Sequence, residues 1–225
     1  MTARITVVIP VGPEAHHKQY LEEACLSIQQ QTVLPDQVLF VSDMADFEIP
    51  HRLLADVMTY ERWESPWRMG VSGAFNAGIS LAQNELVFML GADDKLLPNC
   101  LERCAHAYEE NKEQDAFYWV GVEYSDGRQQ SLPCGTAMVT KGLWKLTGGF
   151  PPEVGSGACD TAFISMLMVH HPERLVCVEG QQPLAWYRVG EETDTSTRAP
   201  WQGVILETRD ILTRTWKAPQ WGRYT

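Results

Sequence analysis

The chain has 225 residues, 44% hydrophobic and 21% charged, with eight tryptophans, a composition that excludes a disordered polymer and leads us to expect one α/β domain with a sizeable core. A formal net charge of −11 and a pI near 5.0 argue against a general nucleic-acid binder, because an acidic surface repels phosphate polymers on average. The six cysteines (Cys25, Cys100, Cys104, Cys134, Cys159, Cys177) are dispersed and form no CxxC pair, so they read as reduced thiols and not as a disulfide or zinc framework.

Met1-Thr2-Ala3-Arg4 leads directly into Ile5-Thr6-Val7-Val8-Ile9, an apolar run too short for a signal peptide and far too short to span a bilayer; a cytoplasmic location is expected. Residues 4–9 read as a buried strand stopped at Pro10, with Gly12-Pro13 opening a loop. Over 18–31 the apolar positions Tyr20, Leu21, Ala24, Cys25 and Ile28 recur at helical spacing. A second strand over 37–41 ends at Ser42-Asp43, a weak helix is expected over 49–57, and a short third strand over 58–60. Residues 72–82 are helical again, 86–90 a strand, and 97–108 and 162–169 helices. Strands alternating with helices imply a mostly parallel sheet covered on both faces, and such sheets bind ligands at the carboxyl ends of their strands.

The segment LVFMLGADDK then poses a physical question, because an apolar strand runs straight into two adjacent carboxylates that repel each other. Asp43, Asp93 and Asp94 all fall just past the carboxyl end of an expected strand. Acids gathered there bind a hard cation or hydrogen-bond a sugar or base. Asp94 equally suits the cap of the following helix.

The segments ITVVIPVGPE, LFVSDMAD, GVSGAFNAGISLAQNELVFMLGADD, GGFPPEVGSGACDTAF and WYRVG follow in an order and spacing that resembles the family 2 glycosyltransferases of the GT-A fold, over roughly residues 4–190. The resemblance implies a single GT-A domain spanning 1–225, with a Rossmann-like sugar-nucleotide half over about 1–95 and an acceptor half over about 96–225. It also implies inverting transfer from a nucleotide-diphosphate sugar, a UDP-sugar above all. By the same resemblance Pro10, Val11 and Asp43 hold the base and ribose, Asn76 and Arg188 serve the donor, and Asp93, as the last acid of Asp-x-Asp, binds Mn²⁺ or Mg²⁺ with Asp94 beside it. A divalent ion neutralises the charge that builds on the departing diphosphate. Two positions depart from the pattern: Gly91 stands where the first Asp is usual, and Phe75 where an Arg is usual.

Inverting transfer needs a base for the acceptor hydroxyl. The acidic pair after Gly148-Gly149-Phe150 reads Cys159-Asp160, so the resemblance assigns the base to Asp160, which also suits a helix start. His170, at the end of the following helix, is a further metal-ligand candidate, although histidines there also meet helix carbonyls. The segment 191–197 resembles a loop that closes over the donor. Trp144, Trp186 and Trp221 are candidates for stacking on an acceptor, or for core packing. The basic, aromatic stretch 213–225 suits a phosphate-bearing acceptor as well as it suits a tail packed on the domain. The acceptor is thus expected to be a glycan, a small molecule or a hydroxymethylated base in phage-type DNA. No glycine-rich dinucleotide fingerprint or P-loop follows the first strand. The rival from another class is a catalytically silent sugar-nucleotide-binding or scaffold protein of the same fold.

Overall fold

In the computed structural model the described residues are 3–112, 114–130, 132–151, 159–178 and 183–189. A seven-stranded sheet forms the centre, in the order β10-β6-β9-β4-β1-β2-β3. Its strands are β1 (Ile5–Val11), β2 (Gln37–Ser42), β3 (Thr59–Glu64), β4 (Leu86–Met89), β6 (Phe117–Trp119), β9 (Ala137–Thr140) and β10 (Leu175–Cys177). β1 runs parallel to both β2 and β4, β2 parallel to β3 and β6 parallel to β10, whereas β9 is antiparallel to β4 and β6. A four-stranded sheet, β5 (Lys95–Leu96), β11 (Pro183–Tyr187), β7 (Gly121–Tyr124) and β8 (Gln129–Gln130), packs beside it.

The parity of each central strand decides its two cores. Val7, Ile9, Val38, Phe40 and Phe88 face one way and meet Leu21, Ala24 and Ile28 of α1 (Ala15–Gln29) and Leu101 of α3 (Cys100–Glu110). Val8, Leu39, Val41, Val87 and Met89 face the other way and meet α2 (Gly70–Leu81), α4 (Lys141–Thr147) and α5 (Cys159–His170) through Ile79, Leu143 and Phe163. Every residue of β1 is buried, as expected of a parallel strand covered on both faces. Gly78 of α2 lies against Val8, and a Cβ there would collide with that side chain; its role is close helix–sheet packing.

β1 continues through Pro10, where the sequence pattern expected it to stop. Main-chain groups of its even residues point toward β4 (Leu90 N donates to Val8 O) and those of its odd residues toward β2 (Asp43 N donates to Val11 O). Pairing with β4 ends at Val8 opposite Met89, so the missing N–H of Pro10 falls where no ladder bond is required. The expected helix over 49–57 is only a 3₁₀ turn, His51–Leu53, and β3 is longer than the expected 58–60. Charged Glu61, Arg62 and Glu64 mask this strand in a hydrophobicity pattern, yet charge is what an edge strand carries to discourage further pairing. Among the described residues no helix is long and apolar enough to cross a membrane.

Candidate active site

The strand order reverses between β1 and β4, with α1 on one face of the sheet and α2 on the other, so the carboxyl ends of β1, β2 and β4 frame a crevice. The expected donor residues Pro10 and Val11 are both buried at the end of β1, where Val11 O accepts from Asp43 N at 2.9 Å. The next turn is built on Gly12, whose N–H donates to His17 Nδ1 at 3.0 Å and whose missing Cβ leaves room for the Glu14 carboxylate.

Asp43, 3% exposed, is held by main chain and cation together. Its Oδ1 accepts from Met69 N at 2.6 Å, and its Oδ2 accepts from Gly70 N at 2.9 Å and meets Arg68 Nε at 3.0 Å. It therefore caps the N-terminus of α2, where a carboxylate complements the exposed amides and the helix dipole. Arg68 reaches on to Glu14 at 2.5 Å and so clamps the β1–α1 loop to the start of α2. Burial is the largest single influence on the Glu14 carboxyl and raises it, but the Arg68 hydrogen bond and charge, a main-chain hydrogen bond and the His17 charge together hold the group below its ordinary range. Arg68 was not among the residues singled out from sequence. Its signal is its place just ahead of α2, near the position where Phe75 replaces the usual arginine.

After β4 the chain makes a tight acidic turn, with Asp94 N donating to Gly91 O at 3.2 Å. The two acids part there. Asp94, 4% exposed, points inward, and its Oδ1 accepts from Arg188 N at 2.9 Å, which ties the turn to the end of β11. Burial and the neighbouring Asp93 charge push the Asp94 carboxyl well above its ordinary range, against the pull of the Arg188 amide and charge. The Asp93 carboxylate accepts no hydrogen bond from a described side chain or amide, and its Oδ2 lies 3.9 Å from His16 Nε2. Gly91 has a steric reason: a Cβ there would lie 2.6 Å from Asp94 Oδ2 and 3.2 Å from Asp93 Oδ1, so the usual first acid has no room beside this pair.

Arg188, expected on the donor side, reaches the same turn. Its Nε donates to Asp93 O at 3.1 Å, its guanidinium stacks 3.6 Å from the Tyr20 ring and it pairs with Glu23 at 2.9 Å. Trp186 lies between two cations, Lys95 Nζ at 3.7 Å and the Arg188 guanidinium at 4.8 Å from its ring centre, so its ring stiffens this cation cluster.

Asp160 sits in the first turn of α5. Its Oδ2 accepts from Gly135 N at 3.0 Å and its Oδ1 from Thr161 N at 2.7 Å. Desolvation raises its carboxyl above the ordinary range against the pull of those amides. The Cys134 thiol, pushed up to about 12 chiefly by burial, feels the charges of both Asp160 and Asp94, which places the α5 acid and the β4 acid turn around one region.

Three expected site residues do not line this crevice. Asn76 is 0% exposed and both polar atoms of its amide are engaged: Oδ1 accepts from Trp144 Nε1 and Phe150 N, both at 2.9 Å, and Nδ2 donates to Phe150 O at 2.8 Å. Trp144, 8% exposed, is its partner in this buried network, which removes it from any acceptor surface. The Gly-Gly-Phe turn is shaped to the same network, since Gly149 has φ +79° and a Cβ there would lie 2.5 Å from Asn76 Oδ1 and from Trp144 Nε1. His170 is exposed at the far end of α5, about 15 Å from Asp160 at about 1.5 Å per helical residue, too far to join an ion at the β4 turn. Trp221, the loop at 191–197 and the tail at 213–225 lie outside the described residues.

Comparisons with known proteins bear on the family and the fold. The family model of glycosyl transferase family 2 matches residues 6–143, more than half of the chain. Among curated proteins no significant match is found. Solved structures with the same fold include S. aureus TarS 1-349 in complex with UDP, at TM-score 0.70 and 16% identity over 96% of this chain and 67% of that one. The UDP-GlcNAc complex of TarS 1-349 gives TM-score 0.69 and 16% identity over 96% and 68%. A crystal structure of S. aureus TarS gives TM-score 0.66 and 16% identity, and there the chain spans 83% of itself but only 37% of its relative. With a mostly parallel sheet, an acid turn at the switch point and a family match across both, the chain belongs to glycosyl transferase family 2 and shares its fold with the TarS structures.

Proposed function

We propose that this glycosyltransferase moves one sugar from a UDP-sugar to an acceptor hydroxyl with inversion, assisted by Mn²⁺ or Mg²⁺. The observation that carries the reading is the pairing of an uncommitted Asp93 carboxylate at the end of β4 with an Asp160 carboxyl raised by desolvation. UDP and UDP-GlcNAc in the two TarS complexes of the same fold support the choice of nucleotide.

The residues present fit a divalent cation: Asp93 offers oxygen, and His16 Nε2 is a buried polar atom with no hydrogen-bond partner beside it. Among the described residues no group of three or more metal-ligating side chains comes together, which suits an ion that takes its remaining oxygens from diphosphate and water. When bound, the cation neutralises charge developing on the leaving diphosphate. Asp43 and Arg68 shape the end of the crevice where the nucleoside lies. Arg188, fixed by Tyr20, Glu23 and the Asp93 carbonyl, supplies positive charge beside the diphosphate. The acceptor oxygen attacks the anomeric carbon from the side opposite UDP; the bond to the diphosphate oxygen breaks with its electron pair, and the hydroxyl proton passes to Asp160. A carboxylate with a raised pKa is the better base for that step.

The acceptor is a glycan, a small molecule or a hydroxymethylated base in DNA. Incubation with a panel of UDP-sugars and Mn²⁺, with UDP release and the anomeric configuration of the product read by NMR, tests the reading. Metal-dependent UDP release with an inverted product is the expected result. Tight UDP binding without release or transfer for any donor would leave a silent binding protein of this fold.

A further inference from the structure

We propose that His16 is a second protein ligand of the divalent cation, beside Asp93; this deepens the metal-assisted reading above and rests on it. His16 is the second residue of α1, with its side chain 8% exposed and its Nε2 without a hydrogen-bond partner among the described residues. An imidazole nitrogen so buried and unpaired is costly unless something absent from the protein satisfies it. Nε2 lies 3.9 Å from Asp93 Oδ2, and the Asp93 side chain is 15% exposed.

At 3.9 Å the two atoms are too far apart for a direct hydrogen bond, which needs about 2.7–3.2 Å. A metal ion with bonds of about 2.1 Å holds adjacent ligands about 3.0 Å apart and opposite ones about 4.2 Å apart, so a rotation of either side chain brings both atoms onto one ion.

The sheet brings the start of α1, which follows β1, to the end of β4, its parallel neighbour, and so sets His16 beside Asp93. An imidazole nitrogen among carboxylate and phosphate oxygens has a chemical consequence: a mixed nitrogen–oxygen site favours Mn²⁺ over the harder Mg²⁺.

Pulsed EPR on the full chain with Mn²⁺ and UDP tests this without reference to turnover. The expected result is a ¹⁴N modulation on the Mn²⁺ signal that is replaced by the ¹⁵N pattern when the protein is labelled with ¹⁵N-histidine and is lost in His16→Gln while Mn²⁺ stays bound. In that variant the preference for Mn²⁺ over Mg²⁺ narrows by about tenfold. The labelled wild-type protein needs no substitution, so the readout survives even where the variant fails to fold. Among the described residues His16 is the histidine placed within ion-pairing distance of Asp93, which gives the labelled signal its assignment. Mn²⁺ bound with no histidine nitrogen, or with a nitrogen signal that persists in His16→Gln, overturns the proposal and leaves the Asp93 reading standing. No Mn²⁺ binding in the presence of UDP overturns both.

Discussion

Two regions of the molecule carry family motif residues, and they use them in opposite ways. At the corner of α2, α4 and the Gly-Gly-Phe turn, Asn76, Trp144 and Phe150 exchange hydrogen bonds that engage both polar atoms of the Asn76 amide, away from solvent. Just past the ends of β1 and β4, Asp93 and His16 stand 3.9 Å apart without a hydrogen bond between them. A closed buried network fixes a fold, since removing one member strands its partners. An open buried polar group costs stability and persists where a ligand completes it. Motif letters alone do not separate these cases; the hydrogen-bond inventory does.

The sharpest way to break that contrast is to change the acids on the open side. Asp160→Asn should cut turnover by about 10²–10⁴-fold, the span for losing a general base, with UDP affinity nearly unchanged and Tm lowered by the one amide acceptor it loses. The wild-type rate should rise with pH through the raised Asp160 pKa, because only the ionised form accepts a proton, and that limb should vanish in the variant. A pH profile unaltered by the substitution would return Asp160 to a helix-start role. Next in size, Asp93→Asn or excess EDTA should each lower transfer by about 10²–10³-fold, comparable to losing one electrostatic contact to the transition state. Full activity in EDTA would sink the metal assignment.

The division between fold and site follows from what each pattern encodes. β1, β2 and β4 are legible because buried parallel strands are continuous apolar runs, and the acids after them mark the edge where ligands bind. β3 is not, because an edge strand bearing Glu61, Arg62 and Glu64 has the composition of a loop. Asp43 and Asp93 are found by their place after strands. His16 and Arg68 are not, because each becomes meaningful through a partner far along the chain, Asp93 for one and Asp43 for the other. Asn76 is the converse case: a motif residue whose partners, 68 and 74 positions away, turn it into a structural link.

The closed region gives the third test. Asn76→Ala should lower stability by about 2–3 kcal/mol, since it leaves the Trp144 indole N–H and the Phe150 main chain buried without partners. Chemical denaturation measures this, and kcat of the protein that remains folded should stay near the wild-type value. A large fall in kcat with unchanged stability would move Asn76 to the donor side.

The smallest expected effect lies at the clamp between the regions, where Arg68 joins Glu14 to Asp43. Glu14 has its pKa lowered in the folded protein from an ordinary value of 4.5, because Arg68, a main-chain hydrogen bond and His17 together outweigh the opposing effect of burial. A depressed carboxyl binds fewer protons when folded than when unfolded, so its contribution to stability is present above pH 4.5 and is lost as pH falls through the lower folded value. Glu14→Gln should therefore be less stable than the wild type at neutral pH by under about 1 kcal/mol, the range for a partly exposed ion pair, and the two should converge in acid. Arg68→Met goes further. It removes the cation from Asp43 as well and should weaken UDP binding measured by calorimetry, whereas Glu14→Gln should leave that binding nearly intact. Equal loss of UDP affinity in both variants would mean that the loop clamp, and not the Arg68 charge at the nucleoside end, governs donor binding.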